Sequence, residues 1–188
     1  MNRQERERHA TVLGAAALAI TDRAAAAVAT VTTPSVTAAA AVSAMRHFLV
    51  RPTLDQLRRV LGLTHSGAVR LVDRLCEAGL AERHVGQDGR SREVALTAGG
   101  ERLADQITAA RLTALDRLTA GLTAAEQRTL VELLGRVLAN VVDTKNEGAW
   151  ICRLCDTSAC GRSDGLCPTA TAATRRFGGE ATGLADRS

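Results

Sequence analysis

The stretch "TLDQLRRVLGLTHSGAVRLVDRLCEAGLAERHVGQDGRSREVALT", residues 53–97, decides the fold. Thr53 and Gln56 have the spacing of a capping box, in which two side chains satisfy the orphan N–H groups of a helix start. Gly62 stops the short helix that follows. Thr64 then caps a second helix. Ala68, Leu71, Val72 and Leu75 fall at i, i+3, i+4 and i+7, which makes one buried stripe. His65, Ser66, Val69, Arg70 and Asp73 fall away from that stripe. Gly79 ends the helix, and Cys76 near its end reads as a small packing residue. Beyond Gly79 the period becomes strand-like. "LAERHV" and "REVALT" flank "GQDGRS", and Asp88-Gly89 is a hairpin turn signal.

Short helix, glycine turn, second helix and basic hairpin together predict a winged helix-turn-helix, mainly α with a small β-hairpin wing. The apolar stripe would hold the second helix while its polar N-terminal face enters a major groove. Backbone N–H groups at its start can meet a phosphate. His65, Ser66 and Arg70 are the expected base or phosphate contacts, with Thr64, Val69 and Arg74 on the same surface; Arg74 can instead pair with an acidic neighbour. Arg90 and Arg92 lie at or near the hairpin tip, where a guanidinium can enter a narrow minor groove. Asp88 orients that wing in this reading. Exposed arginines are usually just solvated. Here the joint order of cap, turn, stripe and basic hairpin favours the functional reading.

The rest of the 188 residues fits around this unit. Aromatics make up 2% of the chain, with no Tyr and one Trp, so Leu, Val, Ile and Ala must build the core. The net charge of +4 permits nucleic-acid binding without proving it. A first helix is expected from about Ala10 to Thr30, with Leu13, Ala16, Ala17, Ile20, Ala24 and Val28 on one face. Glu5 and Glu7 offset the N-terminal arginines and Asp22-Arg23 interrupts the apolar run, so a membrane span is not expected. A second helix should run from about Val36 to Phe48. Past the hairpin, one long helix is expected from about Thr97 to Gly121. Another starts at the Thr123–Glu126 capping box and runs through Leu130, Leu133, Leu134, Val137, Leu138, Val141 and Val142. That apolar face wants a partner. The expected organisation is 1–34 for a dimerisation helix, 35–97 for the winged unit and 98–146 for further dimerisation helices. A metal-binding cysteine loop over 147–168 and a mobile tail over 169–188 complete it.

At "LGLTHSGAVRLVDRLCEAGLAERHVGQDGRSREVALTAGGERL" and "GLTAAEQRTLVELLGRVL" the chain resembles the MarR family of bacterial transcriptional regulators. The Asp88-Gly89-Arg90 wing and the "LT..G" entry into the next helix carry the likeness, which spans roughly Thr11 to Val142. It implies a homodimer joined by the N-terminal helix and the last two helices. It also implies a palindromic double-stranded DNA operator, and repression relieved by a signal.

The motif left over is "WICRLCDTSACGRSDGLCP", residues 150–168, with Cys152, Cys155, Cys160 and Cys167 spaced C-x2-C-x4-C-x6-C. C-x-x-C lets two sulfurs bind one ion through a tight turn, and Gly161 and Gly165 free the connecting backbone. Arg153 and Arg162 can offset thiolate charge. An unliganded reduced loop, disulfides, a four-thiolate zinc and an iron–sulfur cluster all compete. A reducing cytoplasm disfavours the disulfides. The stretch resembles the C-terminal loop of redox-sensing MerR-family regulators, which starts with C-x-x-C, closes with Cys-Pro and holds a [2Fe–2S] cluster. The x4 and x6 gaps differ from that loop.

No nucleotide-binding glycine motif is present, and His9, His47, His65 and His84 are scattered over different elements, so no enzyme is expected. The expectation is a cytoplasmic, dimeric DNA-binding repressor whose iron–sulfur cluster senses redox or iron status. The alternative is a regulator with a structural zinc that answers a small molecule, which the scarcity of aromatics weakens.

Overall fold

The computed structural model describes residues 1–31, 35–86, 91–142 and 150–178. In chain order these form α1 (Arg3–Ala29), α2 (Val36–His47), α3 (Leu54–Leu61), α4 (His65–Glu77), β1 (Ala81–Val85), β2 (Arg92–Leu96), α5 (Ala98–Thr119), α6 (Ala124–Val141) and α7 (Pro168–Phe177). Side-chain caps set most of the starts. Thr53 and Gln56 form the expected capping box, as do Thr123 and Glu126. Thr64 and Thr97 each accept from an amide three residues on, Gly67 and Gly100 respectively. Gly62 adopts φ +62, the left-handed conformation that closes α3.

The core forms around α2. Its residues from Ala38 to Met45 are all buried, and it packs against α1, α3, α5 and β2. Alanine side chains let these helices approach closely. Among them lies one polar atom, the Ser43 hydroxyl, with no hydrogen-bond partner among the described residues. Leu57, Val60 and Leu61 of α3 and Leu71, Val72 and Leu75 of α4 join the same core.

β1 and β2 pair antiparallel, with Ala81 opposite Leu96 and Val85 opposite Arg92. A third segment joins this hairpin. Thr53 bridges to Glu93, and the Val94 amide donates to the Pro52 carbonyl at 2.9 Å. Arg51 beside it takes φ +46, unusual for a side chain with a Cβ, and its guanidinium meets Glu93 at 3.1 Å. The wing therefore rests on the start of α3 as well as on α5. At the α5 end the fit is close. A Cβ on Gly100 would overlap the Leu80 carbonyl oxygen, so only glycine lets the wing return against the helix.

Three expectations are corrected. First, α1 begins at Arg3, not near Ala10, because Asn2 and Glu5 make a capping box. Second, α1 runs unbroken through Asp22-Arg23, where the apolar run was expected to be interrupted, and so has the length and composition, though no more than that, of a membrane-crossing helix. Asp22 and Arg23 nonetheless lie within it, and its C-terminal part packs on α5. Third, much of the segment expected as a mobile tail is the helix α7, with Pro168 at its first turn. It packs on α6, where Pro168 lies against Gly135 and the Arg176 guanidinium donates to the Val142 carbonyl at 2.5 Å.

Much of the apolar surface is unpartnered within one chain. On α1 only Val28 of the expected face is buried, and Leu13 and Ile20 are exposed. No residue of α6 is buried, and Val131 is 70% exposed.

Candidate nucleic-acid interface and cysteine lobe

The candidate reader surface is built by α4. Ala68, Leu71, Val72 and Leu75 anchor one side in the core. Thr64, His65, Ser66, Arg70 and Arg74 are exposed on the other, and Val69 is half-buried between them. Two of these side chains are partly engaged. The Thr64 hydroxyl oxygen accepts from the Gly67 amide at 3.1 Å and lies 3.3 Å from the Ser66 hydroxyl. Arg74 donates to the Arg70 carbonyl at 3.2 Å, so it folds back along its own helix and pairs with no carboxylate among the described residues. Arg70 and Arg92 have no ion-pair partner among the described residues, and both are exposed.

The surrounding arginines behave differently. Arg58 and Arg59 both pair with Asp55, and Arg83 pairs with Asp73. Hydrogen bonding to Arg58, helped by the charges of Arg58 and Arg59, lowers the Asp55 pKa. These cations are tied to the scaffold, whereas Arg70, Arg74 and Arg92 pair with no carboxylate among the described residues. Arg92 opens β2 opposite Val85 at the outer end of the hairpin. The wing-tip residues Asp88 and Arg90 lie outside the described residues.

The second assembly runs from Trp150 to Cys167. Its cysteines are free thiols. Cys152 is the hub: it hydrogen-bonds to Cys155 and to Cys167, and these contacts, with burial, push its own pKa up. The same contact from Cys152 holds Cys167 down at about 5, helped by the Ala170 and Thr169 amides and the charge of Arg162. Cys167 is the N-cap of α7; its sulfur makes no full capping hydrogen bond, but those amides still favour the thiolate. Cys155 is lowered to about 7 by the Cys152 contact, with Arg111 and Arg153 adding to it. Cys160 is pushed up to about 11, first by burial and then by the neighbouring Cys167 and Cys155. Its thiol faces the Thr157 carbonyl at 3.5 Å. Arg162 approaches the Cys152 sulfur at 4.0 Å.

Cys152 thus interacts with Cys155 and Cys167, and Cys160 with Cys167 and Cys155. Among the described residues, however, no group of three or more His, Cys, Asp or Glu side chains is placed to hold a metal ion. The chemistry of the set still suits a thiophilic ion or cluster. All four candidate donors are sulfur, two favour the thiolate, and cations lie nearby; binding an ion would require the remaining protons to leave.

The sequence did not reveal how this lobe is seated. Cys152 is 3% exposed and belongs to the core shared by α2, α3 and α4, and Leu154 and Cys155 pack against it. The Thr157 hydroxyl donates to the His47 carbonyl, at the end of α2, at 2.7 Å. Asp156 stands 3.7 Å from the His47 ring and receives the Ser158 amide at 2.9 Å. The lobe is fastened to the reader, not appended beyond the long helices.

Residues 30–91 match the MarR family. The fold is similar to that of a MarR family protein from Bacillus stearothermophilus, at 18% identity and a TM-score of 0.66 over 76% of this chain and 99% of that one. It is also similar to MarR of E. coli in its apo form, at 26% identity and a TM-score of 0.54 over 67% of this chain and 96% of that one. A third likeness is to MepR, a transcription regulator of the Staphylococcus aureus multidrug efflux pump MepA, at 16% identity and a TM-score of 0.61 over 70% of this chain and 97% of that one.

Proposed function

We propose that this chain, whose residues 30–91 carry a MarR-family winged helix, is a dimeric DNA-binding transcriptional repressor that reads its cofactor state through the cysteine lobe. The observation that carries the reading is α4. Four buried residues fix it, its first turn is polar and exposed, and Arg70 is unspent on that surface. In a major groove, Arg70 and His65 reach base edges or phosphates, while Thr64 and Ser66 meet the backbone near the helix start. Val69 offers an apolar contact and Arg74 a second cation. Arg92, with Arg90, serves the adjacent minor groove from the wing.

The exposed faces of α1 and α6 support a homodimer, because apolar helix faces of this extent are normally covered. A two-fold dimer presents two α4 helices to a palindromic operator, one per half-site. This face also explains why α1 is apolar without a membrane, in keeping with a cytoplasmic regulator.

Cys152, Cys155, Cys160 and Cys167 would hold an iron–sulfur cluster, most simply [2Fe–2S], which supplies one-electron redox chemistry when bound. The charge balance supports an anionic centre, since Arg162 approaches Cys152, and Arg111 and Arg153 act on Cys155. A structural zinc is the second reading, favoured by the all-thiol donor set.

Two measurements test these readings separately. Duplexes selected by the full-length protein from a random pool should bind with an affinity that falls steeply as salt rises. Failure to select any duplex would sink the regulator. Anaerobic purification followed by absorbance, iron, sulfide and zinc assays decides the lobe. A colourless protein with one zinc per chain ends the cluster reading and leaves DNA binding untouched.

A further inference from the structure

We propose that the cysteine lobe acts on the reader directly, with Trp150 as the latch on the turn between α3 and α4. This rests on the reading that the four thiols bind a metal ion or cluster, and it deepens that reading by naming how occupancy is transmitted.

Three contacts carry it. Trp150 lies against Gly62, close enough that a Cβ built on that glycine would meet the indole Cζ3 at 3.5 Å and Cε3 at 3.7 Å. Gly62 is the left-handed cap of α3 and stands two residues before Thr64, which starts the recognition helix. The indole is held in turn by Arg153, whose guanidinium carbon sits 3.6 Å from the ring centroid and whose Nη1 donates to the Trp150 carbonyl at 2.8 Å. Arg153 lies between Cys152 and Cys155 in the chain, so the residues that clamp the indole and the residues that bind each other through sulfur are the same short segment.

The opposite arm of the lobe has a different anchor. Cys167 starts α7, and α7 packs on α6. Bonding Cys152 and Cys155 to Cys160 and Cys167 through one ligand ties the Trp150 arm to the α7 arm. The recognition helix is then referenced to α6 by a rigid link. When the link opens, Trp150 is free to leave Gly62, and the α3–α4 turn samples more orientations. The fraction of protein with both α4 helices correctly spaced falls, and apparent DNA affinity falls with it.

The test uses the full-length chain, isolated anaerobically, before and after metal removal with a chelator under reductant. Trp150 is the single tryptophan, so its quenching by acrylamide reports this one contact. Metal removal is expected to raise quenching, to speed amide exchange over residues 61–67 by about tenfold, and to weaken binding to a pool-selected duplex by about tenfold. Trp150→Ala should keep its metal, bind the duplex at the metal-free level, and lose the response to chelator. Trp150→Phe should keep the response. A metal-loaded Trp150→Ala protein that binds like wild type and still responds to chelator overturns the latch and leaves the metal reading intact. So does tighter binding by that variant. A wild-type protein that takes up neither iron nor zinc overturns the reading beneath, and the metal assay shows that outcome independently of the latch.

Discussion

The Arg83 guanidinium meets the Asp73 carboxylate at 2.5 Å, tying β1 to α4. Asp73 holds Arg83 in its charged form, chiefly through this hydrogen bond. Both side chains are over two-fifths exposed, so water and salt screen the pair. A double-mutant cycle with Asp73→Ala and Arg83→Ala is expected to give less than about 1 kcal/mol of coupling, shrinking as salt rises. The pair links β1 to α4 and adds little to the stability of the fold. Urea denaturation at two salt concentrations measures it.

Arg70 and Arg92 should separate by what they contact. Arg70→Ala is expected to cost about 1–3 kcal/mol of binding and to relax preference at one base position if the contact is bidentate. Arg92→Ala should weaken all duplexes alike and reduce the salt slope by about one unit. Arg90→Ala is expected to behave as Arg92→Ala does. Anisotropy titrations against a selected and a scrambled duplex distinguish them; wild-type binding by both Arg70→Ala and Arg92→Ala would mean that DNA docks elsewhere.

Gly100→Ala should be severely destabilising. The added methyl would strike the Leu80 carbonyl, a backbone atom held by its hydrogen bond from the Thr97 amide at 3.1 Å. Overpacking against backbone is expected to cost about 3 kcal/mol. Thermal denaturation reads it, and an unchanged midpoint would refute the close approach.

Ser43→Ala should do the opposite. The hydroxyl is buried in an alanine-rich helix without a partner among the described residues, so its removal recovers a desolvation cost. The expected gain is about 1 kcal/mol. A loss of stability would reveal a hydrogen bond to that hydroxyl.

The cysteines should differ in what their loss does to the fold. With metal removed from every sample, Cys152→Ala is expected to cost about 1 kcal/mol, because the side chain is a core residue as well as a thiol. Cys160→Ser sits outside that core and should change stability by less than about 0.5 kcal/mol. Both should abolish metal uptake. Metal analysis beside urea melts tests the pair. Cys160→Ser therefore separates loss of a thiol from loss of core packing.

The parts legible in sequence were those written in local chemistry. Thr53 with Gln56, Gly62, Thr64, and Thr123 with Glu126 each specify a helix end within four residues, and each end lies where they place it. The α4 stripe is likewise a matter of period. The start of α1 was also written, in Asn2 and Glu5, but the charged run around them masked the signal. α7 was harder. Its composition is polar, and only Cys167-Pro168 marks its first turn. The seating of the lobe was not legible at all. Trp150 on Gly62 and Thr157 on His47 join positions about a hundred residues apart, and no period or spacing encodes such a contact.

That seating has a consequence for the order in which the molecule is made. Cys152 fills a place in a core otherwise supplied by residues 28 to 107. On a ribosome the helix-turn-helix therefore emerges long before its last core residue does. Until the lobe follows, the apolar residues around the Cys152 site face water, and the nascent chain carries a gap to be covered by a chaperone or by its own later residues. The helix-turn-helix core is thus completed only once residues 150–157 have been synthesised, so a chain terminated before them would lack part of that core.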